Sequence, residues 1–208
     1  MASAVVLTIN FGTLDGVIEA QAKVVNAFLP PDCDFVQWFS GDHSYGIDTF
    51  LRRDKHEVVV LLDIDCIPLN REILPQMIAK AREGILVGCV QRANHIENGQ
   101  HLYAGPCGTA FSRELYDRIG RPSFAATERG DVGEELTYGC ERLGIPVELL
   151  WPTHVVSPRW HLRDGKMFGN GTTYANALYH AFEIGIGLTR QMFLEKCREV
   201  LSGVNHEL

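Results

Sequence analysis

The chain has no C-x-x-C pair. Its six cysteines (Cys33, Cys66, Cys89, Cys107, Cys140 and Cys197) stand singly, which leaves a zinc ribbon or a dithiol redox motif without support. A disulfide framework is also out of keeping with a chain of this size that shows no secretory leader, so the thiols are expected to be buried and reduced. No apolar run approaches the roughly 20 residues needed to span a bilayer. The opening MASAVVLTIN lacks the basic region and long apolar stretch of a signal peptide, so a cytoplasmic protein without a transmembrane segment is expected. Positive charge is scarce: 19 Lys and Arg face 26 Asp and Glu, a net charge of -7. A polyanion-binding protein is therefore disfavoured. Repeats, low-complexity tracts and linkers are missing as well. What remains, 208 residues of which 46% are hydrophobic, is enough for one domain with a buried core.

Strand-like and helix-like segments alternate along the chain, the signature of an α/β fold. Ala4–Ile9 reads as a buried strand, and Gly16–Leu29 as a helix with Val17, Ala20, Val24, Ala27 and Phe28 at helical spacing, stopped by Pro30 and Pro31. Strands are expected at Asp34–Phe39, Glu57–Leu62, Ile85–Val90 and Val147–Leu150. Helices are expected at Ile47–Arg53, Glu72–Arg82, Arg113–Ile119, Glu134–Leu143, Tyr174–Phe182 and Gln191–Leu201. Gly105–Thr109 reads as a tight segment before a helix, and FGNGTTY as a lid or a plain loop.

The chemistry concentrates in VVVLLDIDCIPLN. An aliphatic run of this kind suits a central strand covered on both faces, and ligands in open α/β sheets bind at the carboxyl ends of strands. Asp63 and Asp65 stand at that end. In extended backbone, residues two apart project to one side, so both carboxylates enter one cavity. Two such hard oxygen ligands suit Mg²⁺ or Mn²⁺, above all when a diphosphate adds its own charge. The plainer alternative is a strand that ends in two solvated acids.

LLDIDCIPLNREIL resembles the D-x-D segment of the GT-A glycosyltransferases, in particular inverting family two. The resemblance covers most of the chain in element order, with only this motif sharp. It implies a GT-A-like, Rossmann-type fold: a single compact domain with a mixed, mainly parallel sheet flanked by helices. Residues of about 1–100 would be the donor-binding half and about 101–208 the half that meets the acceptor and completes the metal site. It further implies that Asp63 faces the ribose or metal and that Asp65 binds the metal. Thr8, Asn10 and Asp42, each at a strand end, become candidate nucleotide contacts, with turn chemistry or capping as the alternative. YAGPCGTAFSREL is similar to the family's small-residue wall around donor and acceptor, where Gly105 and Gly108 would admit a sugar. RGDVGEELTYG lies where the family carries a Glu-Asp pair before a helix. This chain departs from that pattern, leaving Asp131 first and Glu134 second as candidate base, or simple helix-start acids. In WPTHVVSPRWHLRDGK, His161 matches the family's metal-completing histidine, with His154 in reserve, and Trp160 is placed to stack on a sugar or to pack in the core.

The resemblance implies a hexosyl- or pentosyltransferase that uses Mn²⁺ or Mg²⁺ and a nucleoside-diphosphate sugar. The acceptor is left open among a glycan, a small molecule, a protein and a modified DNA base, so nucleic acid enters only as an acceptor. Two alternatives stand beside it. Haloacid-dehalogenase-like phosphatases also carry a hydrophobic run before D-x-D, but usually near the chain start and with a different following pair. A catalytically inactive sugar- or nucleotide-binding module is the non-enzyme alternative.

Overall fold

β1 (Ala4–Asn10), α1 (Asp15–Phe28), β2 (Cys33–Phe39), α2 (His43–Arg53) and β3 (Val58–Leu62) open the chain in the computed structural model, which describes residues 3–10, 12, 14–97 and 100–206. β4 (Cys66–Pro68), α3 (Ile73–Arg82), β5 (Leu86–Gln91), β6 (Tyr103–Ser112), α4 (Arg113–Arg118), α5 (Glu134–Arg142) and β7 (Val147–Leu150) follow. β8 (Pro152–His161), β9 (Met167–Tyr174), β10 (Leu178–His180) and α6 (Gly187–His206) complete it. The larger sheet has the strand order β2-β1-β3-β6-β5-β7, with β6 antiparallel to both neighbours and the other pairings parallel. The mixed, mainly parallel α/β architecture expected from the sequence is the one the chain adopts.

The valine run explains itself by period. Val58, Val60 and Leu62 enter one core with Leu74, Met77 and Ile78 of α3. Val59 and Leu61 point the other way, onto Ile47 and Phe50 of α2 and onto Leu115 and Leu136. Both faces of β3 are covered, so no polar residue interrupts it until the strand ends. Val17, Val24 and Phe28 of α1 meet Phe193 and Cys197 of α6 in a third cluster, together with Ile64, Ile67 and Tyr179. All six cysteines are buried and unbonded. Among the described residues no helix is long and apolar enough to cross a membrane.

The second sheet is antiparallel throughout, in the order β4-β10-β9-β8. Its first strand begins at Cys66, so Asp63-Ile64-Asp65 is where the chain leaves one sheet and enters the other.

The two sheets overturn three readings of the sequence. Tyr174–Phe182 is not a helix: Tyr174 closes β9, Ala175 and Asn176 turn at positive φ, and Leu178–His180 pairs with β4 and β9. Pairing on both sides outweighs a local helical spacing. FGNGTTY is neither lid nor loop but most of β9, and Gly169 is required there because a Cβ would stand 2.3 Å from the Ser157 carbonyl oxygen of β8. Gly105–Thr109 lies inside the long strand β6 rather than in a turn, with every residue of the strand buried.

Candidate active site

Asp63 follows the last residue of β3, and its backbone is fixed from three sides. Its N–H donates to the Cys107 carbonyl at 3.1 Å, and its carbonyl accepts the Cys66 N–H at 2.8 Å. From α1, the fully buried Gln21 donates its side-chain amide to the carbonyls of Asp63 (2.6 Å) and Cys66 (3.0 Å). The Asp65 carbonyl accepts the Ala181 N–H at 3.0 Å, which ties the turn to the end of β10.

These constraints bring a histidine to the pair. His180 Nε2 lies 3.0 Å from Asp65 Oδ1 and 3.6 Å from Asp63 Oδ2. One ligand atom each from Asp63, Asp65 and His180 all fall within 4.8 Å of one another. Two carboxylates and an imidazole are the hard and borderline donors that Mn²⁺ and Mg²⁺ accept, so the residues fit such an ion. His43, the first residue of α2, lies with Nε2 3.0 Å from Asp63 Oδ1. Burial opposes ionisation of Asp63, yet the adjoining His43 and His180 hold its carboxyl below the usual range. Burial likewise disfavours the His180 cation, but Asp65 and then Cys107 raise its pKa well above the ordinary value.

The structure thus supplies His180 where the sequence suggested His161. His161 is the exposed last residue of β8, paired with Met167, and the reserve His154 is also exposed on β8; neither belongs to the group. β8 carries them along the free side of the small sheet, whereas β10, bonded to β4, reaches the aspartates. The signal for His180 was hidden because its segment was read as a helix.

The remaining candidates separate by environment. Thr8 and Asn10 are buried at the end of β1, and Thr8 Oγ1 and both polar side-chain atoms of Asn10 have no hydrogen-bond partner among the described residues. Asp42 caps α2: its carboxylate accepts from the Tyr45 N–H and the Ser44 hydroxyl, each at 2.8 Å, and the first of these bonds leads in lowering its pKa. Gly105 and Gly108 have packing reasons for lacking a side chain, since a Cβ would strike Gln91 at 2.2 Å and Cys89 Sγ at 2.8 Å. Glu134 is fully buried at the start of α5, where it accepts the Asp131 N–H at 2.7 Å and lies 2.6 Å from His101 Nδ1. That geometry gives it the environment of a buried, hydrogen-bonded acid. Asp131 is only partly buried and lines a cavity of about 220 Å³ together with Arg92, Tyr103, Trp160, Phe168 and Phe182. The Phe182 ring lies against His180 with centroids 3.8 Å apart and planes inclined by 43°, so this cavity adjoins the aspartate–histidine group. A larger cavity of about 580 Å³ is lined by Arg52, Asp54 and Arg113, near the far ends of β3 and β6, away from this chemistry.

No family model and no curated protein matches the chain in sequence. Solved structures do match. A mannosyltransferase from Pyrobaculum calidifontis, in complex with GDP-Man and Mn²⁺, aligns at a TM-score of 0.51 with 18% identity over 71% of this chain. The chain spans about half of that protein's length, 54%. A mutant Drosophila β-1,4-galactosyltransferase 7, complexed with manganese, UDP-Gal and xylobiose, aligns at 0.48 with 14% identity, covering 79% of this chain and 69% of its own. The 2-C-methyl-D-erythritol 4-phosphate cytidylyltransferase of Thermus thermophilus aligns at 0.49 with 11% identity, covering 95% of this chain and 100% of its own. The likeness to the mannosyltransferase shows the fold: a GT-A-type mixed, mainly parallel α/β architecture, here with an Asp-x-Asp pair at the end of its central strand.

Proposed function

We propose that the chain is a glycosyltransferase that moves a hexosyl or pentosyl group from a nucleoside-diphosphate sugar to an acceptor hydroxyl. The observation that carries this reading is the convergence of Asp63, Asp65 and His180 at the carboxyl end of the central strand of this fold. These three residues would hold Mn²⁺ or Mg²⁺, and when bound such an ion offsets the charge of the departing diphosphate. Residues of about 1–100 supply the aspartates and the unpaired Thr8 and Asn10 toward the nucleotide. Residues of about 101–208 supply His180 and the acceptor side.

Asp131 is the base of this reading, because it is the acid that faces the cavity beside the metal group. Its carboxylate takes the acceptor hydroxyl proton as the oxygen forms its bond to the anomeric carbon. The bond from that carbon to the diphosphate oxygen breaks, and its electron pair leaves with the nucleoside diphosphate, which gives inversion. Thermal denaturation with Mn²⁺ and a panel of nucleoside diphosphates tests the reading: one base should stabilise the protein selectively, and only with metal present. Failure of every nucleotide to do so would overturn it.

A further inference from the structure

The cavity beside Asp131 has two unlike walls. One is aromatic: Trp160, Phe168 and Phe182 pack on one another with centroids 5.2–5.5 Å apart and ring planes inclined by 39°, 54° and 60°. Phe168 is buried, whereas Trp160 and Phe182 are partly exposed. The other wall is polar and carries Arg92 and Asp131. Arg92 Nε is buried with no hydrogen-bond partner among the described residues, and Arg92 lines the cavity. An apolar face opposite hydrogen-bonding groups is the chemistry that receives a polyhydroxylated ring, whose C–H face stacks on an aromatic while its hydroxyls meet acids and guanidinium groups.

Size and shape narrow the choice. About 220 Å³ lies below the roughly 300–1,000 Å³ of sites for drug-sized ligands, so the cavity takes a single ring and not an extended chain. The inclined aromatic rings make one cupped surface. They do not form the two parallel walls between which a flat nucleobase is held. Nor does the net charge of -7 assist a nucleic-acid backbone.

We infer that this cavity is an acceptor subsite for one carbohydrate ring, seated on Trp160 and Phe182 with a ring hydroxyl at Asp131. The inference rests on the transferase reading for its role, and on the cavity itself for its ligand class. Phe182 touches both the cavity and His180, so a ring seated there lies beside the aspartate–histidine group that the transferase reading assigns to the donor side.

The test is saturation-transfer NMR on the full chain with Mn²⁺ and the nucleoside diphosphate that stabilises it. The probes are methyl glycosides of common hexoses and pentoses, with 5-hydroxymethyl-2′-deoxycytidine as the nucleobase probe. At least one glycoside should bind saturably, with the strongest transfer to protons on one ring face. Trp160→Ala should weaken it by about tenfold or more, from the lost stacking and apolar contact, while metal-dependent nucleotide binding persists. Trp160→Leu, which keeps apolar bulk against Phe168 and Phe182 without a flat ring, should behave the same way and serves if the alanine variant does not fold. Glycoside binding unaffected by Trp160→Leu, binding of the nucleoside alone, or no glycoside binding in protein that still takes nucleotide, would each overturn the subsite. Glycoside binding lost with Trp160 in a protein that takes no nucleotide would uphold the sugar site and sink the transferase reading instead.

Discussion

The Gln21 side-chain amide donates to the Asp63 carbonyl oxygen at 2.6 Å, across 42 residues of sequence. The same nitrogen reaches the Cys66 carbonyl at 3.0 Å, so one buried amide brackets the turn that carries both aspartates. Gln21→Leu keeps the volume and removes both bonds. It is expected to weaken Mn²⁺ binding about 10–100-fold, the usual effect of removing a group that orients metal ligands. Titration of free Mn²⁺ by electron paramagnetic resonance reads the change. Unaltered affinity in a folded variant would show that the turn holds its shape without Gln21.

His180→Ala and His161→Ala separate the two histidines. Loss of an imidazole 3.0 Å from Asp65 should abolish the metal-dependent stabilisation by nucleoside diphosphate, and His161→Ala should leave it intact. A thermal-shift titration of both variants decides between them, and the reverse pattern would return the ligand to β8.

Asp131→Asn is expected to lower turnover about 10²–10⁴-fold with donor affinity little changed, as for a group acting on the acceptor in the transition state. Glu134→Gln should act on stability instead. Its buried carboxylate holds the Asp131 N–H and faces His101, and disturbing such a pair costs about 1–3 kcal/mol. Denaturant titration alongside single-turnover kinetics separates the two. Collapse of turnover in a stable Glu134→Gln, with normal turnover in Asp131→Asn, would exchange their roles.

His101 gives a pH dependence with a defined sign. Burial opposes its cation, but hydrogen bonds to Glu134 and Glu141 prevail and raise its pKa above the ordinary 6.5. The folded state therefore holds this proton more tightly than the unfolded chain. The stabilisation is complete below pH 6.5 and is lost as pH rises through the raised value. Thermal midpoints taken upward from pH 6.5 should fall less steeply in His101→Gln than in the unaltered protein; parallel curves would rule out this linkage.

The sequence announced what local patterning can announce. Five aliphatic residues in a row before Asp63 reported a strand covered on both faces, and α3, α4 and α5 each lie within a segment expected to be helical, whereas α2 starts at His43, ahead of the expected Ile47. The second sheet was not legible for the same reason. Leu178–His180 is short, its three residues are all buried, and its strand character comes from partners at Cys66–Pro68 and Thr172–Tyr174. Since His180 rides on that strand, its approach to the aspartates was hidden together with it. Asp131 and Glu134 stand three residues apart at a helix start, and the sequence ranks Asp131 first without a physical feature that separates them. Only burial, complete for Glu134 and partial for Asp131, distinguishes them.

Asp65 and His180 are 115 positions apart, and the aspartates occupy the seam between the two sheets. A cation gripping all three side chains would act as a clasp on a long loop, whose closure entropy it would share. At a free concentration 100 times its Kd, a ligand that binds only the folded form adds about 2.7 kcal/mol. Divalent-ion supply would then govern how long the chain survives as well as how fast it reacts. A cell short of the ion would lose the protein to proteolysis as well as its chemistry, and digestion rates measured with Mn²⁺ and with chelator report how tightly that clasp holds.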